Sequence, residues 1–133
     1  MITSAGERCR VLALAPNPWD GQWMNRQQIL SRLGRHHAVV YSNGPWRVWD
    51  RSRDEFRACP WLGGFAERDG VLVDRPARIL LSWPGRAVDR VVQHGVQRRW
   101  HRQLARMGTG PVVLYLFHPS FVRSVDGLPH DRL

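Results

Sequence analysis

Two runs of apolar residues, one near each end of the chain, predict buried strands. Residues 10–15 and 112–117 are almost wholly apolar, which is typical of strands covered on both faces of a parallel sheet. Residues 38–41 predict a further strand, and residues 71–73 and 79–81 predict two shorter ones. We expect the strand at 112–117, which has the strongest pattern, to lie at the centre of the sheet.

Helical patterns alternate with these strands. Residues 24–33 carry an apolar face and end at Gly34, a natural C-terminal cap. Residues 87–107 predict a long helix, because apolar side chains recur there every four residues and form one stripe. The stripe consists of Val88, Val92, Val96, Trp100 and Leu104.

Two segments give weaker patterns. Residues 46–70 predict a short helix at 50–58 and a loop at Gly63–Gly64. The tail, residues 122–133, is polar and shows no closing element, so the chain is expected to stop inside its fold.

The order of strand, helix and strand over residues 10–41 predicts a right-handed βαβ unit. The fold class we predict is α/β, a Rossmann-like three-layer domain with a mainly parallel sheet. The length of 133 residues fits one such domain, residues 1–133. No apolar run approaches the roughly 20 residues of a membrane span, and residues 1–7 lack a signal-peptide pattern, which predicts a cytoplasmic protein. The two cysteines, Cys9 and Cys59, are expected to be reduced thiols.

The charge of the chain is strongly positive. Its 20 basic residues are all Arg and outnumber 11 acidic ones, giving a net charge of +9. Such a charge favours nucleic acid or an anionic membrane as partner, although the lack of Lys also fits codon bias in a GC-rich genome. The basic helix at 87–107 has either a solvated Arg face or a face that docks on acidic lipid headgroups at the inner side of the membrane. Nucleic acid is disfavoured, because the aromatic residues are not interleaved with the basic ones as a stacking platform requires.

The loop after the first strand is one candidate site. Its single Gly21 does not match GxGxxG, which disfavours a nicotinamide or flavin cofactor. Gly21 lets a backbone approach a ligand, the following helix N-terminus suits an anion, and Arg26 adds a possible phosphate contact. Hydroxyl-binding or stacking side chains here are Trp19, Asp20, Trp23, Asn25, Gln27 and Gln28. A structural interpretation stays open, in which Asp20 caps the helix and Trp23 covers the sheet.

His118 is the other candidate. It follows the strand at 112–117 and precedes Pro119, so it belongs to the same sheet edge as the first loop. It could bond a substrate hydroxyl or polarise a donor group, or it could be a structural histidine. The remaining histidines show no metal-ligand spacing, so no metal is predicted.

The sequence resembles a known enzyme family at these two places. The run from Leu14 to Gln28, with Pro-Trp-Asp-Gly followed by Trp23 and Arg26-Gln27-Gln28, resembles the start of bacterial GT-B glycosyltransferases of the retaining, glycogen-synthase-like group. The run from Leu114 to Pro119 is similar to that family's strand and His-bearing loop. Residues 46–84 match only loosely.

The resemblance implies the N-terminal, acceptor-side half of a two-domain GT-B enzyme, truncated at its C-terminus and inactive alone. It implies a glycan, lipid-linked or small-molecule acceptor. The nucleotide-sugar would be a co-substrate bound by the missing C-terminal domain, with no cofactor and no metal. On this basis His118 is the catalytic residue, and the substrate-binding residues are Asp20, Gly21, Trp23, Asn25, Arg26 and Gln27. The alternative is a non-catalytic α/β module that binds a partner or an anionic surface.

Overall fold

Five strands and three α-helices form the described part of the chain. The computed structural model describes residues 8–16, 19, 25–83, 87–125 and 128, with Arg26, Val48, Glu55, Ser120, Arg123 and Ser124 described by their backbone only. The strands are β1 (Arg10–Leu14), β2 (Ala38–Ser42), β3 (Gly64–Arg68), β4 (Val71–Arg75) and β5 (Val112–Leu116). The helices are α1 (Asn25–Leu33), α2 (Asp54–Ala58) and α3 (Val88–Arg106), with 3₁₀ helices at Val48–Ser52 and Pro119–Val125.

The strands form one mainly parallel sheet in the order β3-β4-β2-β1-β5. β1, β2, β4 and β5 are parallel, and β3 pairs antiparallel with β4. The α/β class predicted from the sequence is therefore confirmed. The expectation that the strand at 112–117 is central is wrong, because β5 lies at an edge. β5 is apolar although it is an edge strand, because Val112 and Leu114 are buried on the α3 face and Val113 packs on the α1 face.

Helices cover both faces of the sheet, and β1 contributes alternate residues to each side. Val11 and Ala13 pack with Leu30 of α1 on one face, whereas Leu12 and Leu14 pack with α3 on the other. Burial on both faces explains the continuous apolar run of β1. The predicted stripe of α3 is confirmed at four of its five positions: Val92, Val96, Trp100 and Leu104. Val88, the first residue of α3, is half exposed.

The middle of the chain differs most from the predictions. Its predicted helix divides into the 3₁₀ helix Val48–Ser52 and α2, and the predicted loop at Gly63–Gly64 leads directly into β3. A two-residue turn joins β3 to β4, with positive φ at Asp69 (55°) and Gly70 (81°), the geometry of a type I′ hairpin. The Asp-Gly pair is the sequence signal that predicts this hairpin. The strand expected at 79–81 is not formed, and only an isolated parallel bridge joins Arg47 and Ser82.

The segment after β5 packs onto the α3 face. Phe121 and Val125 of the 3₁₀ helix Pro119–Val125 and the following Leu128 are all buried in the core on that face. The expectation that residues 122–133 carry no closing element is therefore wrong at Val125 and Leu128. The sequence pattern does not predict this packing, because these apolar residues lie among polar ones and follow no regular period.

Candidate functional site

The carboxyl-terminal edge of the sheet brings together the segments that follow β1, β2 and β5. β1 pairs with β5 in parallel, with Leu14 opposite Leu116, and the N–H of Phe117 donates to the Leu14 carbonyl at 2.9 Å. The N–H of Ala15 donates to the carbonyl of Ser42, the last residue of β2, at 3.2 Å. The chain thus leaves three neighbouring strands at one edge, where open α/β sheets bind their ligands.

His118 and Asn25 are both exposed. Each lies at the start of the element that follows a strand at this edge. His118 lies two residues beyond β5, and its carbonyl accepts the N–H of Phe121 at 3.2 Å, which starts the 3₁₀ helix. Asn25 is the first residue of α1, and the backbone of Arg26 follows it. The predicted site residues Asp20, Gly21 and Trp23 lie outside the described residues.

Gln27 points into the protein interior. It is fully buried, and its Nε2 donates to the carbonyl of Trp19 at 3.4 Å. Gln27 therefore links α1 to the backbone of Trp19. A direct contact of this side chain with a ligand stays a prediction.

Trp19 belongs to the core. Only 3 % of it is exposed, its ring meets Tyr41 edge-on at 5.1 Å, and its Nε1 donates to Oδ2 of Asp69 at 3.2 Å. The expectation that Trp19 could stack on a sugar is wrong, because this ring covers the α1 face of the sheet.

A cavity of about 270 Å³ opens at the same edge, on the α3 face. It is lined by the loop after β2, by residues 47 and 82, by one face of α3 from residue 89 to residue 100, and by the 3₁₀ helix after β5. The lining residues are Asn43, Gly44, Pro45, Arg47, Ser82, Asp89, Val92, Gln93, Val96, Trp100 and Phe121. The sequence did not predict this cavity, because its polar residues lie in segments that are far apart in the chain and share no motif.

Hydrogen bonds fix one wall of the cavity to α3. Oδ1 of Asp89, in the first turn of the helix, accepts from Oγ of Ser82 at 2.9 Å and from the N–H of Trp83 at 3.1 Å. A carboxylate in this position also interacts favourably with the helix dipole. The N–H of Ser82 in turn donates to the carbonyl of Trp46 at 2.7 Å. The wall formed by residues 46–47 and 82–83 is thereby held in place.

A buried carboxylate fixes the opposite wall and the floor. Oδ2 of Asp74 accepts from Oγ of Ser42 at 2.8 Å and from Nε1 of Trp100 at 3.1 Å. Oδ1 of Asp74 pairs with Nη2 of Arg99 at 3.0 Å. Oγ of Ser42 also accepts the N–H of Gly44 at 3.1 Å. One side chain of β4 therefore positions the loop after β2 and the tryptophan beneath the cavity.

The arrangement suits a small polar ligand with one apolar side. Asn43, Ser82 and Gln93 supply groups that both donate and accept hydrogen bonds, and Phe121 supplies an aromatic edge, whereas Trp100 is fully buried beneath the cavity. Among the described residues, no three His, Cys, Asp or Glu side chains are grouped as metal ligands. In the same residues, no helix has the length and apolar character needed to cross a bilayer.

Comparison with known proteins adds no relative. No protein-family model, no curated protein and no solved structure matches the chain.

Proposed function

We propose that this chain is the acceptor-side domain of a GT-B glycosyltransferase and that the carboxyl-terminal edge of its sheet binds a sugar-containing acceptor. One observation carries the proposal. β1 and β5 are parallel neighbours in register, so the helix start that resembles the family and the family-like His118 follow adjacent strands. Gln28, where the first part of the resemblance ends, and His118 in the second part are 90 residues apart in the chain.

The strand order gives further support to a Rossmann-like domain. From β1 the chain proceeds to β2 and β4 on one side, and it then returns to place β5 on the other side of β1. Ligands of open α/β sheets bind where the strand order reverses. In this chain the reversal lies between β1 and β5, which are the strands that lead to Asn25 and His118.

The cavity has the size and chemistry for a sugar ring. Its volume of about 270 Å³ lies just below the range of pockets for drug-sized ligands, which begins at roughly 300 Å³. Amide and hydroxyl groups at Asn43, Ser82 and Gln93 match the mixed donor and acceptor character of sugar hydroxyls. Phe121 connects the cavity to His118 through the first turn of the 3₁₀ helix. We therefore propose that the acceptor occupies the cavity and that His118 faces the sugar to be transferred.

NMR titration of the full chain tests this proposal. An immobilised glycan panel first selects a binding glycan, and ¹H–¹⁵N spectra then locate it. We expect amide signals of residues 43–45, 93 and 117–121 to shift with the glycan. UDP and GDP alone should leave them in place, because the donor nucleotide belongs to the other half of a GT-B enzyme.

Gln93→Ala and Gln103→Ala form a matched pair for this titration. Gln93 lines the cavity, whereas Gln103 lies near the other end of α3. Loss of the amide should weaken glycan binding about tenfold for Gln93→Ala, the value of one to two hydrogen bonds, and leave it unchanged for Gln103→Ala. Tight binding of a bare nucleotide, or failure of every glycan to bind, would contradict the acceptor-side proposal.

A further inference from the structure

Three large apolar side chains outside the cavity lining are exposed on adjacent segments. Trp61 is 63 % exposed, Leu62 is 73 % exposed and Ile79 is 57 % exposed. The N–H of Ile79 donates to the carbonyl of Trp61 at 3.3 Å, so the two segments that carry these side chains are adjacent. We call these three residues the Trp61 patch. Neighbouring large apolar side chains that are all more than half exposed commonly mark a contact surface.

Arginine side chains border the patch. The guanidinium of Arg78 lies 4.1 Å from the ring centroid of Trp61 and 5.0 Å from that of Phe56. Nη2 of Arg75 donates to the carbonyl of Ala58 at 3.5 Å, so a second guanidinium lies near the segment that leads to Trp61. Stacking on aromatic rings holds the Arg78 cation beside the apolar residues.

Arg78 also has spare hydrogen-bonding capacity. Its Nη1 donates to the carbonyl of Arg57 at 3.4 Å, a long contact. Its Nε is buried and has no acceptor among the described residues. A guanidinium has five donors, and phosphate oxygens are among the acceptors that match them best. Because Nε is buried, Arg78 would meet an anion that approaches with an apolar surface through its terminal Nη atoms.

The segments around the Trp61 patch carry a net positive charge. Segments 47–62 and 75–79 contain six Arg against three acidic residues. Of the acidic residues, Asp50 is engaged by Arg53 at 3.6 Å and by the N–H of Arg47 at 2.9 Å. A net positive surface around exposed Trp, Leu and Ile is complementary to the anionic headgroups and acyl boundary of a membrane.

We propose that the Trp61 patch docks this protein on anionic phospholipid bilayers. Trp61, Leu62 and Ile79 enter the boundary between headgroups and acyl chains, and Arg57, Arg75 and Arg78 contact lipid phosphates. A bilayer fits these observations better than a folded partner, because three projecting side chains need no complementary surface to become buried there. The docking surface is distinct from the outer face of α3, which the sequence leaves open as an alternative membrane-binding face.

Vesicle co-sedimentation of the full chain tests the proposal. The probes are vesicles of phosphatidylcholine alone and of an equimolar mixture with phosphatidylglycerol. We expect binding to the mixed vesicles at low salt, much weaker binding to phosphatidylcholine, and a marked decrease near 1 M salt, where the Debye length is about 3 Å. No binding to the mixed vesicles at low salt would overturn the proposal.

Three variants assign the binding to a surface. The double variant Trp61→Ser/Leu62→Ser should weaken binding at least about tenfold, since two large apolar side chains are lost. Arg57→Gln should weaken it about fivefold, the effect of one cation near an anionic surface. Val122→Ser is the matched control, because Val122 is also half exposed but lies in the 3₁₀ helix after β5, and it should bind like the unaltered chain.

Two results would replace this surface by another. If Arg98→Gln/Arg102→Gln abolished binding while Trp61→Ser/Leu62→Ser retained it, α3 and not the Trp61 patch would be the docking surface. If a single-stranded oligonucleotide bound in a Trp61-dependent manner and vesicles did not, the patch would be a nucleic-acid surface. Thermal unfolding of each variant checks that loss of binding is not loss of fold.

Discussion

The indole N–H of Trp100 donates a hydrogen bond of 3.1 Å to Oδ2 of Asp74, and both side chains are buried between the sheet and α3. Ser42 donates to the same oxygen, and Arg99 pairs with the other one. This single carboxylate therefore joins β2, β4 and α3 beneath the cavity. A buried charge is stable only while its partners remain, which makes the network a sensitive point of the fold.

Loss of the Asp74 carboxylate should strongly destabilise the protein. We expect Asp74→Ala to lower the free energy of unfolding by about 3–5 kcal/mol, because the Arg99 cation and two buried donors lose their acceptor. Urea denaturation measures the change. Asp54→Ala is the control, since Asp54 is exposed, and it should change stability by less than about 0.5 kcal/mol. A loss below about 1 kcal/mol for Asp74→Ala would mean that water replaces the network.

The two donors to Oδ2 of Asp74 should be energetically coupled. Trp100→Phe keeps most of the ring and removes the N–H, which should cost about 1–3 kcal/mol. In a double-mutant cycle with Ser42→Ala, we expect a coupling energy of about 0.5–3 kcal/mol, because both groups share one acceptor. Chemical denaturation of the four proteins provides the cycle. Strict additivity would show that the two hydrogen bonds act independently.

Gly34 is required for close packing. A Cβ at Gly34 would lie 2.4 Å from the carbonyl oxygen of Gly70, where the end of α1 meets the β3–β4 turn. Gly34→Ala should therefore destabilise the fold by about 1–3 kcal/mol through overpacking. Gly64→Ala is the matched control, because a Cβ there meets no atom within 4 Å, and its thermal midpoint should be unchanged or slightly higher. Equal midpoints for both variants would contradict the close approach.

Two tryptophans that look alike in the sequence should respond differently to truncation. Trp19 is buried against Tyr41, so Trp19→Ala should cost about 3–5 kcal/mol. Trp49 is 59 % exposed, and Trp49→Ala should cost less than about 1 kcal/mol. Denaturant titrations compare them. Similar losses for the two variants would argue against the buried position of Trp19.

His118 should affect binding more than stability. His118→Ala should leave the free energy of unfolding within about 0.5 kcal/mol, because the side chain is exposed. On the proposed function it should also weaken binding of the selected glycan about tenfold, the effect of one to two lost hydrogen bonds. His36→Ala is the control, since His36 is exposed just before β2, at the amino-terminal ends of the strands and opposite the candidate site. Unchanged glycan affinity for His118→Ala would remove His118 from the proposed site.

Local patterns predicted most of the regular structure. The sequence predicted the bounds of β1, β2 and α3 to within one or two residues. β1 was marked by its apolar run, and α3 by the apolar stripe that recurs every four residues. The signal was strong there because burial of one face imposes a regular period on the sequence. The hairpin of β3 and β4 was missed although Asp69-Gly70 marks its turn, because the partly exposed β3 has too few apolar residues to form a pattern.

The candidate site was only partly predictable. The pattern of buried strands predicts that β1 and β5 end on the same side of the sheet. Their parallel pairing agrees with this prediction. The cavity beside that edge depends on Asn43, Ser82, Gln93 and Phe121, which are separated by up to 78 residues and belong to no common motif. Their proximity follows from how α3 and the 3₁₀ helix after β5 pack, and a one-dimensional pattern carries no record of that packing.

By itself the sequence determined that this chain forms an α/β domain, because side-chain burial repeats along each strand and helix. Only the tertiary structure decided that β5 is an edge strand, that Trp19 is a core residue and that Asp74 anchors Trp100. These properties depend on contacts between residues distant in the chain. Local propensity and hydrophobic period do not encode such contacts, because each is set by neighbours that come from other elements.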